Sequence, residues 1–512
     1  VAAVWDGRLP APPPLRGLAG HPKLGAVLAC FALVLSLAAA TVGVAAGRTS
    51  FVVAPLAVAG TLAAYRAGRM HIRWTSVVAL MLAVIFFIPI KRYALPGSAA
   101  VDLEPYRLVV ALILLNWFCA LLVDRRVHWH RTVLDRPLVM LLSVVLLSEL
   151  TNVHRAASLD SYVIKSLTFF LSFVLVYYLV ANTIRAREDI QRIVSVLVGF
   201  GAVVAVLALF ESKSHVNVFN HLTGVLPILR LRSDGLIAVS DLERNGGVRA
   251  YASAQHPIAL GAFLVLLLPL SFYLAQTRSR YWWLASFALL LGMLVTGSRT
   301  GVLMLFAVVL VYLILRPSYV VRFWPLLLPA LVAVHIALPG TIGGLRAAFF
   351  PKGGLISQQD NVVRGNELRS NGRLADVGPA LHEIGGEPLA GLGYGTRVTA
   401  GPDLNAAVLD DAWLGTLLEI GLLGMFAWLW IFVRSIRRLT RAAREDESER
   451  GWLLVALAAG IAAFGVGMFT YDAFSFIQVT FMLFILLGLA SSVLALPPGD
   501  DQGNRLAALP GG

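Results

Sequence analysis

A small set of arginines, carboxylates and one histidine interrupts long apolar runs, and their spacing sets the chemistry open to the chain. The run Gly297-Ser298-Arg299-Thr300-Gly301 lies between two such runs. An arginine there is costly unless it faces protein, water or an anion. Its two glycines allow a tight turn whose peptide N–H groups suit an anion. A hairpin turn with a snorkelling arginine is the competing reading. Arg249 and His256 precede Pro257, a residue type that begins helices. Histidine so placed is more often an interfacial hydrogen-bonder than a catalyst.

Further along come Arg373, the glycine-rich run Glu387-Pro388-Leu389-Ala390-Gly391-Leu392-Gly393-Tyr394-Gly395, and Arg397. The pair Asp410-Asp411 follows, and nine residues later Gly421-Leu422-Leu423-Gly424. Glu419 falls inside that last apolar run, about two turns below Asp411. A carboxylate in such a run, with arginines nearby, marks a functional site by default; a structural ion pair is the alternative. A carboxylate or histidine at the membrane rim can accept a proton from a hydroxyl. Asp410 and Asp411 also stand where carboxylates cap a helix, so capping competes with catalysis. No His/Cys cluster or Asp-x-Asp pair marks a metal site, and no cofactor is expected.

The elements that must position these residues are membrane helices. The chain has 512 residues, of which 58% are hydrophobic and 14% charged, against about 45–50% and about 25% in soluble proteins. It must use lipid as solvent. Candidate spans fall at 24–47, 50–65, 75–90, 108–123, 137–150, 166–184, 193–210, 258–275, 281–297, 302–315, 323–339, 412–433, 451–469 and 474–496. These predict an all-α polytopic bundle of about 12–14 transmembrane helices. The net charge of +13 resides largely between the spans, which points to membrane topology rather than nucleic acid. Alternate loops carry about 24 basic residues against about 7 in the short loops opposite. The termini are therefore expected in the cytoplasm. Cys30 and Cys119 both lie in apolar runs, which excludes a framework of external disulfides.

Four regions follow: a cytoplasmic tail at 1–23, an N-terminal bundle at 24–210, a core at 211–433, and a C-terminal part at 434–512. The core carries two large external loops, 211–257 and 340–411. The C-terminal part is expected to begin with a basic cytoplasmic loop, followed by two spans and a tail. Both external loops break the positive-inside trend, with Lys213, Arg230, Arg232, Arg244 and Arg249 in the first. The second has Arg346, Lys352, Arg364, Arg369, Arg373 and Arg397. Together they make a surface suited to an anionic substrate.

From Asn245 to Gly424 the order and spacing resemble the O-antigen ligase and O-antigen polymerase family. The resemblance lies in the arginine before a Pro-containing helix start (Arg249 to Pro257), the Ser298–Gly301 turn, and the signature from Arg373 through Pro388 to Gly395. It implies a polytopic glycosyltransferase at the outer face of a bacterial cytoplasmic membrane. Such an enzyme moves glycan from a polyprenyl-pyrophosphate carrier to an acceptor glycan or glycolipid. By the same resemblance Arg249 and Arg299 hold the pyrophosphate, with Arg373, Tyr394 and Arg397 also binding substrate. The family often has His-Asn nine residues before Gly-x-x-Gly, the histidine serving as base. This chain has Asp410-Asp411 there, which leaves Asp410, Asp411 and His256 as candidate bases. Fixed guanidiniums would stabilise the leaving pyrophosphate where water is scarce. The rival readings are a lipid-linked oligosaccharide flippase and a non-catalytic partner in polysaccharide export. A flippase should show midplane charges and repeat symmetry.

Overall fold

A computed structural model describes residues 73–95, 103–124, 127–237, 242–244, 247–323, 377–399, 403–406 and 408–497. The tail at 1–23, the expected spans 24–47 and 50–65, all but Phe323 of the span 323–339, and Arg373 lie outside the described residues. The protein is a polytopic membrane helix bundle. Among the described residues, seven helices are long and apolar enough to cross a membrane.

In chain order the helices are α1 (Trp74–Phe87), α2 (Pro105–Val123), α3 (Asp135–Thr151), α4 (Val153–Ser158), α5 (Asp160–Thr183) and α6 (Arg187–Ser214). Then come α7 (Pro257–Thr277), α8 (Trp282–Val295), α9 (Arg299–Leu315), α10 (Pro317–Phe323) and α11 (Val377–Glu383). The last are α12 (Ala412–Arg444), α13 (Glu449–Gly467) and α14 (Ile477–Ala495). Eleven of the expected spans fall on helices, eight of them to within a few residues; α5 and α6 begin six residues earlier than expected, and α12 runs eleven residues further.

Enclosure does not follow hydropathy, since α6, the most apolar of the seven spans, is less than half buried. α7, α13 and α14 are apolar around their whole circumference and lie almost wholly inside the bundle. α13 carries Ala458-Ala459-Gly460 and Ala462-Ala463, small residues that let backbones approach closely. It packs on α7, α9, α12 and α14. α1, α6 and α8 form one flank, while α2 and α5 lie against α1 and α14 on the other.

Two features differ from the sequence expectation. The basic run from Arg434 is a continuation of α12 rather than a loop. Its 33 residues make a helix of about 50 Å, longer than the roughly 30 Å hydrocarbon core. The loop 211–257 is anchored rather than simply solvated. β1 (Tyr93–Ala94) pairs antiparallel with β2 (Arg230–Leu231), and β3 (Glu243–Arg244) with β4 (Gly247–Val248). Arg92, only 1% exposed, donates to Asn220 Oδ1 at 3.0 Å, to the Ala252 carbonyl at 2.6 Å, and to the Ala254 carbonyl. Its guanidinium lies 4.5 Å from the Tyr251 ring centre. Burial lowers its pKa to about 10, so it stays charged at neutral pH.

Candidate functional site

The Arg92 clamp holds its neighbour Lys91 at a positive φ of 68°, and the Lys91 amide donates to Glu104 Oε2 at 2.8 Å. Lys91 opens onto a cavity of about 1080 Å³, at the upper end of the range for small-molecule sites. The cavity lies between α2, α5, α12 and α14. Along α5 its lining runs from Ser161 to Leu175, a depth of about 21 Å at the helical rise.

Charge of both signs lines this space. The cations include Lys91, Arg107 and Lys165, joined by Arg232 from the loop after α6. Arg107 pairs with Glu104 at 2.8 Å and lies over the Phe169 ring. The carboxylates are Glu104, Asp411, Glu419 and Asp472, and Tyr394 and Arg397 line the same space. Burial lowers the Lys91 pKa, and Lys165 lowers it further against the pull of Glu104 and Asp472. Burial raises the pKa of Asp472, opposed by hydrogen bonds from Ser475 and reinforced by Asp410. Below the charged rim the lining is apolar, with Val110, Leu114, Phe173, Leu175 and Phe484.

The placement of Glu419 depends on a broken helix. Gly421 interrupts α12 with a φ of 65°, a value that favours glycine. The residues around the break lose their own helical partners, and the loop from Pro388 to Gly393 replaces them. Leu392 and Gly393 amides donate to the Leu418 and Glu419 carbonyls at 2.8 and 3.2 Å. In return Leu422 and Leu423 amides donate to the Pro388 and Leu389 carbonyls at 2.9 and 3.2 Å. Ser148 Oγ adds a bond to the Glu419 carbonyl at 2.7 Å, and Asn152 Nδ2 holds the Gly391 carbonyl at 2.8 Å. The inserted loop brings Tyr394 against Phe170, with ring centres 5.6 Å apart. Burial and the neighbouring Glu419, Asp472 and Glu149 raise the pKa of the Tyr394 phenol.

The residues singled out in the sequence fall into two groups. Tyr394, Arg397 and Asp411 line the cavity, and Asp410 acts on Asp472 at its edge. Asp411 is also the N-cap of α12, its Oδ1 accepting from the Trp413 and Leu414 amides at 2.9 and 3.1 Å. Arg397 Nη1 reaches both Glu383 oxygens, at 3.1 and 3.2 Å. Arg249 and Arg299 belong to a second group and are not among the cavity-lining residues. Arg249 is buried, and its Nε donates to the Thr296 carbonyl at 2.7 Å, beside the Gly297 turn. Ser298 caps α9 by accepting from the Gly301 amide. His256 caps α7 through Nδ1, which accepts from the Ile258 amide at 3.2 Å, and stacks on Phe476.

Sequence reading passed over Lys91, Glu104, Arg107, Lys165 and Asp472 as site residues. Each lies just outside an apolar run, where a basic or acidic residue is ordinary, and only packing brings them together. Among the described residues no three His, Cys, Asp or Glu side chains are placed to hold a metal ion. The chain matches none of the family models and none of the curated proteins with which it was compared.

Proposed function

We propose that the chain is a membrane glycosyltransferase that moves glycan from a polyprenyl-pyrophosphate carrier to an acceptor sugar, as ligase or polymerase. It acts at the outer face of a bacterial cytoplasmic membrane. The observation that carries this reading is the cavity itself, lined at its mouth by several cations and carboxylates and apolar below. Such a site offers each part of the donor a matching surface. The isoprenoid chain lies along the apolar lining between α2 and α5. The pyrophosphate faces Lys91, Arg107, Lys165 and Arg232, where cations fixed in a poorly hydrated site stabilise charge growing on the leaving group. The acceptor hydroxyl approaches near Asp411 and Glu419.

This assignment transfers the phosphate-holding role from Arg249 and Arg299 to the cations that line the cavity. Arg249, bonded to the Thr296 carbonyl, instead stiffens the turn before α9. The order of the motifs between Arg249 and Gly424 is a second, independent support.

The test is transfer by purified protein in lipid nanodiscs, given a synthetic carrier-linked glycan and a candidate acceptor, with product followed by chromatography. Wild type should form product, and Lys165→Ala should raise the KM for donor about tenfold or more, the loss of one charge-assisted contact. Donor translocation in liposomes without transfer to any acceptor would favour the flippase and end the transferase reading.

A further inference from the structure

We propose that Glu419 takes the proton from the acceptor hydroxyl, an inference that rests on the transferase reading above. Glu419 sits within the span of α12, where a carboxylate is costly and needs a reason to be there. Its main chain is pinned: the carbonyl accepts from both Ser148 Oγ and the Gly393 amide, two residues before the break at Gly421. Its side chain lines the cavity. The Gly395 backbone N–H bonds to its carboxylate, and the Arg397 charge attracts it. The Arg397 Nη1 also holds Glu383.

Asp411, His256 and Asp472 each already hold another group. Asp411 Oδ1 caps α12, and His256 Nδ1 caps α7. Asp472 Oδ2 accepts from Ser475 Oγ. At Glu419 a rigid backbone and an intramembrane carboxylate meet a substrate-sized space.

The step balances as a single displacement. An oxygen lone pair of the acceptor hydroxyl forms the new bond to the anomeric carbon while the hydroxyl proton passes to a Glu419 carboxylate oxygen. The bond from the anomeric carbon to the pyrophosphate oxygen breaks, and its electron pair leaves with the polyprenyl pyrophosphate toward Lys91, Arg107 and Lys165. Glu419 then releases the proton to solvent at the cavity mouth.

The experiment uses the full chain in nanodiscs and the donor that supports wild-type transfer. Glu419→Gln should lower the transfer rate by about 10²–10⁴-fold, with melting temperature and donor Kd kept close to wild type. Transfer within fivefold of wild type, or donor binding lost in step with transfer, would overturn the assignment. Glu419→Asp is the second variant, since it keeps a carboxylate and changes its surroundings, which are Arg397, Asp472, Tyr394 and Glu149. The acidic limb of its pH–rate profile should move relative to wild type; a limb that stays in place would overturn the proposal. Absence of transfer by wild type itself would count against the transferase reading, a result distinct from either of these.

Discussion

Asp411 answers two descriptions at once, a rim carboxylate beside a cavity and the cap of the longest helix. The two N–H groups it accepts from are among those every helix leaves without internal partners. A cap needs only an acceptor oxygen in the right place, and asparagine supplies one as well as aspartate does. Asp411→Asn should therefore leave the thermal midpoint in detergent close to wild type, while Asp411→Ala should cost about 1 kcal/mol. Equal losses in both variants would show that the charge matters more than the cap. Arg92 shows the same economy in a buried setting. Its guanidinium holds two carbonyls and an asparagine, and the clamp it forms fixes the peptide that presents Lys91 to the cavity.

Gly421 and Gly391 face one another where the inserted loop enters α12. A Cβ on Gly421 would lie 2.2 Å from the Leu389 carbonyl oxygen, and one on Gly391 would lie 2.6 Å from the Glu419 carbonyl. Neither contact is with a side chain that could swing away. Gly421→Ala should cost about 1–3 kcal/mol for the left-handed backbone alone, and more if the loop leaves its seat. The checks are a lower melting temperature and faster proteolysis within 384–399. Gly415→Ala, where a Cβ meets open space, should not lower the melting temperature. A Gly421→Ala protein that melts like wild type would show that the loop does not depend on the break. Little of this junction is legible in the sequence. The apolar run continues through Gly421 without a proline, so hydropathy reads α12 as one uninterrupted span. The lengths of apolar runs are different: they must match the bilayer, and that alone located α2, α6 and α7. Glu419 left a visible signal, a carboxylate inside an apolar run. Lys91 and Asp472 left none, because nearly the whole bundle must assemble before they share a cavity.

Across the described residues, chain direction alternates so that every charged cavity residue except Glu419 lies at one end. Lys91 follows α1, Glu104 and Arg107 begin α2, Lys165 begins α5, Arg232 follows α6, Arg397 and Asp411 precede α12, and Asp472 joins α13 to α14. Arg437, Arg438, Arg441 and Arg444 gather at the opposite end, on the part of α12 that exceeds the bilayer thickness. Cytoplasmic loops retain basic residues, so the arginine-rich end should face the cytoplasm and the cavity should open outward. Ser158 and Glu447 are exposed near the two ends and test this directly. In a background lacking Cys30 and Cys119, Ser158→Cys should react with an impermeant thiol reagent on intact cells, and Glu447→Cys only after permeabilisation. The reverse pattern would turn the cavity toward the cytoplasm. A cavity so turned would meet lipid-linked glycan before it crosses the membrane, and the proposed reaction at the outer face would fall with it.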